Sequence, residues 1–407
     1  MTSYVILKDA NAGRRRSWFE SRQHVSGVPS PGGMSTMSGD MPPEPEVSVE
    51  DLEPQDLREA ARDPGILDLA RTMPTRLIEP MASAAAVTAG PTWGIQAVGA
   101  DNSSADGRDV LVCVLDTGID AGHQAFAGVD LVQRDFTGKG NGDVQGHGTH
   151  CAGTVFGRDV DGTRIGVAPG VSRALIGKVL DDKGGGESDM LFNVILWASS
   201  LNAKVLSMSL GLDFPGLSKK LAARGYPVDL ATSIALEGFR ANLRVFDNLM
   251  DLIAARAAFN GGIVIVAASG NESKRQKNPK YEVSASVPAA AKGIVSVGAL
   301  GETSGGLNVA DFSNTNPMLS APGVNVVSAK AGGGLAALNG TSMACPHAAG
   351  VAAQWWQSLK EDAAIPVTAS AVVTRMRASC RTDVFRTGVD VLDRGDGLVQ
   401  SPVASGA

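Results

Sequence analysis

Three short segments of this 407-residue chain carry side chains of the types that can act together in acyl transfer. LDTGID (115–120) holds Asp116, GHGTHCAGT (146–154) holds His147, and NGTSMACPHAAG (339–350) holds Ser342. A serine hydroxyl is a weak nucleophile until a base removes its proton. Histidine titrates near neutrality, so it can take that proton and return it to a leaving amine. A carboxylate behind the imidazole fixes its tautomer and stabilises the imidazolium that forms. Asn271, at the end of AASGN (267–271), adds a side-chain amide able to donate to an oxyanion, with the backbone N–H of Ser342 as its partner. Taken singly, Asp116 is a turn residue, His147 a satisfied polar group, Ser342 a helix cap and Asn271 a turn residue. Their contexts and order assign the four together.

These residues need a scaffold, and the hydrophobic pattern supplies one from about residue 92 onward. DVLVCVLD, ALIGKVL, KVLSMSLG, GIVIVAASGN and GIVSVGAL are near-continuous apolar runs. They alternate with helical patterns: SDMLFNVILWASSLNA opened by Ser188 or Asp189, IALEGFRANLRVFDNLMDLIAARAAF, and SMACPHAAGVAAQWWQSLK. This predicts an α/β fold, a doubly wound, mostly parallel sheet with helices on both faces. In such sheets ligands sit beyond the carboxyl ends of strands, where Asp116, Ser209 to Gly211 and Ser269 to Asn271 fall.

The motifs and their order resemble the subtilisin-like serine protease family (subtilases). D-[ST]-G, H-G-T-H and G-T-S-M-[AS]-x-P are all present, with Pro346 and His347 matching as well. GVAPG (166–170), KVLDDKGGG (178–186), SMSLG (207–211), APG (321–323) and GDGLVQ (395–400) extend the similarity from about Trp93 to Gln400. HGTHCAG and KVLDD resemble the proteinase K branch. The resemblance implies a serine endopeptidase working through Asp116, His147 and Ser342, with Asn271 in the oxyanion hole. It also implies that Ser209, Leu210 and Gly211 line one side of the primary specificity pocket and Ala268, Ser269 and Gly270 the other. Gly184, Gly185 and Gly186 then form the edge that pairs with an extended substrate. An apolar or otherwise large side chain is expected before the scissile bond, and Glu272 suggests tolerance of a basic one. Cys151 and Cys345, three or four residues from His147 and Ser342, resemble the placement in thiol-sensitive subtilases.

Five divisions of the chain are expected. Residues 1–46, rich in Ser, Pro, Gly and Met after about 24, form a flexible segment in which YVILKD could add a strand to the next unit. Residues 47–80 read strand–helix–strand and resemble the family's inhibitory, chaperoning propeptide. Residues 81–91 are a small-residue linker, 92–402 the subtilisin-like domain with an insertion at about 214–244, and 403–407 a tail. The chain is therefore expected to cut itself between about Met73 and Pro91, and its own propeptide is an expected partner beside protein or peptide substrates.

Composition narrows the alternatives. With 43% hydrophobic and 19% charged residues and a net charge of −6, the chain is globular and lacks the basic footprint of a nucleic-acid binder. No run approaches a membrane span, a monomer is expected, and MTSYVILKDANAGRRRSWF is no standard secretory signal, which points to the cytoplasm or a non-classical export route. Four cysteines permit two bridges, with free buried thiols the expected state. No cofactor is needed for the chemistry. A structural calcium is an option at RDVDGTR (158–164), through Asp159 and Asp161, although Ala125 stands where the family carries an Asp. Those two carboxylates otherwise read as an ordinary turn. His123 and His150 are expected to be structural, His24 a loop residue, Trp355 and Trp356 packing residues, and Arg14 to Arg16 a solvated run or a proteolytic target. The competing function is an inactive relative serving as a binding protein. Within the active reading, a degradative and a dedicated processing protease remain open.

Overall fold

The structure, a computed structural model, describes residues 2–11, 43–362 and 367–403. Most of the segment read as flexible, including Arg14 to Arg16 and His24, lies outside the described residues, as do residues 404–407 of the tail.

The centre of the molecule is a sheet whose strands run, in spatial order, Gly306–Val309, Ile294–Thr303, Val264–Ala268, Val205–Met208, Val112–Asp116, Arg173–Lys178 and Asp130–Asp135, with Leu319–Pro322 also pairing to Ile294–Thr303. Every pairing is parallel except that of Gly306–Val309 with Ile294–Thr303. The apolar runs follow from burial on both faces. Val112 and Val114 join one hydrophobic cluster with Val155, Phe156 and Val351, whereas Cys113 and Leu115 join another with Phe192, Ile195 and Phe246. Successive side chains of one strand thus feed opposite layers. The helices His147–Phe156 and Thr341–Glu361 form the first layer, and Ser188–Ser200 and Val228–Asn260 the second. The α/β, doubly wound architecture is as the sequence pattern predicts.

Two local details differ from expectation. The Ser188–Ser200 helix is entered one residue earlier, with Glu187 at its N-cap. Ser188 instead accepts a hydrogen bond from the backbone N–H of Met73 at 3.1 Å, a long-range contact that no local rule could specify. The small-residue stretch at 81–91 is also more than a plain connector. Met81–Ala82 pairs with Leu338 and Asn339, and Gly90–Pro91 pairs with Thr163–Arg164.

An antiparallel sheet of Pro45–Leu52, Thr2–Asp9 and Ile66–Arg71 precedes this domain, with the helix Pro54–Ala60 between two of its strands. Its inner side chains Val5, Leu7 and Ala70 share the cluster of Phe192 and Phe246. The sheet therefore rests on the Ser188–Ser200 and Val228–Asn260 helices. Residues 214–244 form the helix Phe214–Ala223 and the first half of Val228–Asn260. Between these helices Met73 is fully buried, its side chain near Gly238. The chain then enters a cleft at the carboxyl end of the central sheet.

Candidate active site

Asp116 is the last residue of the strand Val112–Asp116, which lies inside the parallel sheet, so its side chain emerges at the carboxyl edge of the sheet. Its Oδ1 accepts the backbone N–H of Thr117 at 2.8 Å and lies 2.7 Å from Nδ1 of His147, 31 residues along the chain. His147 opens its helix after Gly146, which has a left-handed φ of 92°. The next residue must be glycine, because a Cβ on Gly148 would stand 2.1 Å from the carbonyl oxygen of Gly118. That close approach holds the histidine helix against the Asp116 turn. Thr117 and Asp143 tie the two further: Thr117 Oγ1 donates to Asp143 Oδ1 and accepts from Gly148 N–H, while Asp143 Oδ2 accepts from the N–H and hydroxyl of Thr149. The Asp116 and His147 side chains are 1% exposed, and Nε2 of His147 is buried without a hydrogen-bond partner.

Ser342 is the second residue of the Thr341–Glu361 helix. Pro346, one turn on, has no N–H to give the Ser342 carbonyl. That carbonyl accepts instead from the Ser209 hydroxyl at 3.1 Å and the Cys151 thiol at 3.4 Å, which binds the start of the helix to the link between Val205–Met208 and Leu210–Leu212 and to the histidine helix. Asn271 is oriented by its oxygen. Oδ1 accepts both the N–H and the hydroxyl of Thr341 at 2.9 Å, leaving Nδ2 pointed into the cleft.

The cleft is filled by the chain itself. Pro74–Leu77 forms the middle strand between Gly185–Glu187 and Leu210–Leu212, antiparallel to both. Gly185 faces Arg76, Gly186 faces Thr75, and Leu77 N–H donates to Gly184 O at 2.8 Å. On the other edge Leu210 faces Leu77 and Gly211 faces Arg76. Glycine is required at 186, since a Cβ there would come within 2.7 Å of the Thr75 hydroxyl and 2.2 Å of the Val179 carbonyl. Ile78 follows with its side chain buried near Gly211, and its carbonyl accepts from Ser342 Oγ at 3.0 Å. Asn271 Nδ2 donates to the next carbonyl, that of Glu79, at 3.1 Å. Ala268 ends its strand, Gly270 N–H donates to Thr341 Oγ1, and Ser269 accepts from Asn314, so the AASGN turn is fixed from behind.

Some of the machinery had no local signal. Asn314 Oδ1 accepts from the N–H groups of Glu272 and Ser273, and its Nδ2 donates to Glu272 and to the Ser269 carbonyl. Nothing in its DFSNTNP context marks it. Thr117 and Thr341 lie inside the motifs already singled out, but their supporting role appears only with the contacts. Glu272, from which tolerance of a basic residue before the scissile bond was expected, pairs with Arg76 of the segment lying in the cleft, at 2.9 Å.

The cysteines are free. Cys151 lies 3.7 Å from His147 Nδ1, and burial together with the Asp116 charge holds its thiol well above the ordinary range. Cys345 sits below the site against Ser207 and the Met208 and Val266 carbonyls, its thiol pushed by burial to about 11. His150 and His347 are buried on carbonyl oxygens, and desolvation first of all lowers them to about 3 and about 4. Asp159 and Asp161 are exposed, with Asp161 and Gly162 turning the chain at positive φ. At position 125 a buried methyl replaces the needed carboxylate, and the Ala125 N–H goes to His123 Nδ1. The residues present do not make the family's calcium site there.

The arrangement can move a proton from a serine through a histidine oriented by a carboxylate, beside an amide donor and a strand-binding cleft. The chain is also similar in sequence to known proteins. Residues 107–392 match the model of the subtilase family. A cuticle-degrading serine protease of Arthrobotrys oligospora is 32% identical over 310 residues, covering 71% of this chain and 64% of that protein. Subtilisin-like protease 6 of Trichophyton tonsurans is 32% identical over 273 residues, covering 65% of this chain and 57% of its own. The counterpart from Arthroderma gypseum is 30% identical over 285 residues, again 65% of this chain and 58% of its own. The chain thus spans less than two thirds of the length of the curated relatives it matches. By its motifs, its sheet and these matches, the chain belongs to the subtilase family.

Proposed function

We propose that the protein is a serine endopeptidase that hydrolyses protein or peptide substrates through Asp116, His147 and Ser342, and that it is made as a zymogen which cuts its own Ile78–Glu79 bond. The observation that carries this reading is the segment Pro74–Glu79, which lies in the cleft as an extended substrate would, with the Ile78 carbonyl on Ser342 Oγ. The bond is assigned by register. Leu77 is the last residue paired to Leu210, Ile78 buries its side chain, and the alternative bond after Glu79 would leave Pro80 as the departing residue.

The geometry supports the following steps. Ser342 Oγ turns from the Ile78 carbonyl oxygen toward the unpartnered Nε2 of His147, gives it the proton and attacks the Ile78 carbonyl carbon. Asp116, at 2.7 Å, stabilises the imidazolium. Asn271 Nδ2 moves by one carbonyl from Glu79 to Ile78 and, with Ser342 N–H, holds the oxyanion. The C–N bond breaks, the Glu79 amine leaves with the proton from His147, and water then hydrolyses the Ile78 ester. Residues 2–78 are thus proposed as a propeptide whose end remains in the cleft as a product inhibitor, and an apolar residue like Ile78 as the preferred one before the cut. A serine-directed phosphonate tests the first claim and N-terminal sequencing the second. Labelling at Ser342 and a mature N-terminus at Glu79 are expected. Active protein with an intact Ile78–Glu79 bond would overturn the zymogen reading.

A further inference from the structure

Arg76, the third residue upstream of the Ile78–Glu79 bond, is held between two acids. Its Nη2 lies 2.9 Å from Glu272 Oε1 and its Nη1 3.6 Å from Asp213 Oδ1. The acids come from two segments, far apart in the chain, that both line the cleft. Glu272 directly follows Asn271, while Asp213 is the N-cap of the Phe214–Ala223 helix, part of the stretch read from sequence as an insertion. Neither is a loosely tethered surface carboxylate. Glu272 accepts from Asn314 Nδ2 at 2.7 Å and gives its own N–H to Asn314 Oδ1 at 3.0 Å. Asp213 Oδ1 accepts the Gly216 N–H at 3.0 Å, and its backbone N–H donates to the Pro74 carbonyl. Lys220 and Lys274 line the same cleft, yet among the described residues Arg76 is the one cation within ion-pair distance of either acid.

We infer that Glu272 and Asp213 determine specificity, selecting substrates with arginine or lysine at the third position before the scissile bond and rejecting aspartate or glutamate there. The inference rests on the reading of Pro74–Ile78 as a bound substrate. Its physical basis is that each carboxylate is also held by a contact that does not involve Arg76, so a cation entering at that position pays little to organise its partners. When Arg76 leaves with the cut segment, the two negative charges face a groove edge that the next strand must fill. An acidic side chain there meets like charge on both sides. The pairs are partly solvated, so the selection is a modest one that salt screens.

The test uses processed protein and fluorogenic amides of Thr-Xaa-Leu-Ile, with Xaa as Arg, Lys, Ala or Glu, compared between wild type and the Asp213→Asn/Glu272→Gln double variant. Both substitutions keep the oxygens that receive the Gly216 and Asn314 hydrogen bonds. We expect kcat/KM for the Arg peptide to exceed that for Ala by about fivefold, and that for Glu by more, chiefly through KM. In the double variant the ratios should fall toward one, and in wild type they should shrink between low and high salt. A ratio near one in wild type, or the same ratio in both proteins, overturns the inference. Should phosphonate-reactive protein digest unfolded proteins yet cut none of the four peptides, the register itself is wrong and the inference goes with it. Should the phosphonate not react, the endopeptidase reading has failed first.

Discussion

The segment that crosses the cleft is held very differently on its two sides. Upstream of Ile78, Pro74–Leu77 is hydrogen-bonded along both edges and anchored by fully buried Met73. Downstream, Met81–Ala82 pairs along one edge, both residues are exposed, and Ser83 adds contacts to the Ala337 carbonyl and to Asn325. A strand paired on two edges satisfies nearly all its backbone groups by protein, whereas one paired on a single edge shares the task with water. Under the proposed self-cleavage, the upstream piece keeps its sheet and its anchor and stays as an inhibitor, while the downstream piece, paired on one edge, clears the cleft.

The largest expected effect is at the bond that joins the two arms. Ser342→Ala should leave the protein folded and uncut, with hydrolysis reduced by about 10⁶. Electrophoresis of the purified variant should show the full-length chain alone. A shortened chain from the variant would mean that another group, or another protein, makes the cut. Next comes Asn271→Ala, expected to lower kcat by about 10²–10³ with little change in KM. This sharpens the comparison, because Nδ2 now sits on the downstream carbonyl of Glu79. A pure KM effect would mean that Asn271 holds the downstream arm and does not move to the oxyanion.

Met73→Ala acts on the upstream arm alone. Emptying a fully buried methionine site costs about 2–5 kcal/mol, and relaxation between the two helices places this one near the lower end. The inhibition constant of the released upstream fragment should rise about thirtyfold, measured by titrating processed protein with wild-type and variant fragments. An unchanged constant would show that the cleft strand by itself carries the inhibition. Ser83→Ala tests the weaker arm and should change the rate of self-cutting by less than about threefold, since it removes only an exposed hydrogen bond to Asn325 and a local one accepted from the Ala85 N–H. A tenfold change would break the comparison, because the downstream arm would then matter to positioning the bond. Finally, mercurials should inhibit through Cys151 beside His147. Cys151→Ala should abolish that sensitivity, whereas Cys345, which lies below the sheet end, should not sustain it.

The reach of sequence reading is seen by comparing two pairs of residues. Asp116 and His147 sit in motifs whose glycines and threonines encode the local turn and helix start, so their roles could be read before any coordinates. Their 2.7 Å contact follows once the strand and helix pack as their apolar patterns require. Arg76 and Glu272, 196 residues apart, carry no such mark. A charged residue in a strand and another after a turn are each ordinary. Their pairing depends on which strand occupies the cleft and in what register.

The sequence alone determined the α/β class, the order Asp116, His147, Ser342, the place of Asn271, and the presence of a strand–helix–strand unit ahead of a large domain. Periodicity, turn chemistry and motif spacing are local, and these features are built from them. Tertiary structure decided which edge of the cleft was unpaired and what would fill it. It turned Pro74–Leu77 from the end of a small unit into the middle strand of a sheet drawn from three distant segments. It also recruited Asn314 behind the AASGN turn and gave the Ser342 carbonyl to Ser209 and Cys151. Those choices rest on backbone and side-chain groups seeking partners across the whole chain. A backbone edge looks the same from any single segment, so only the assembled fold could settle which segment would satisfy it.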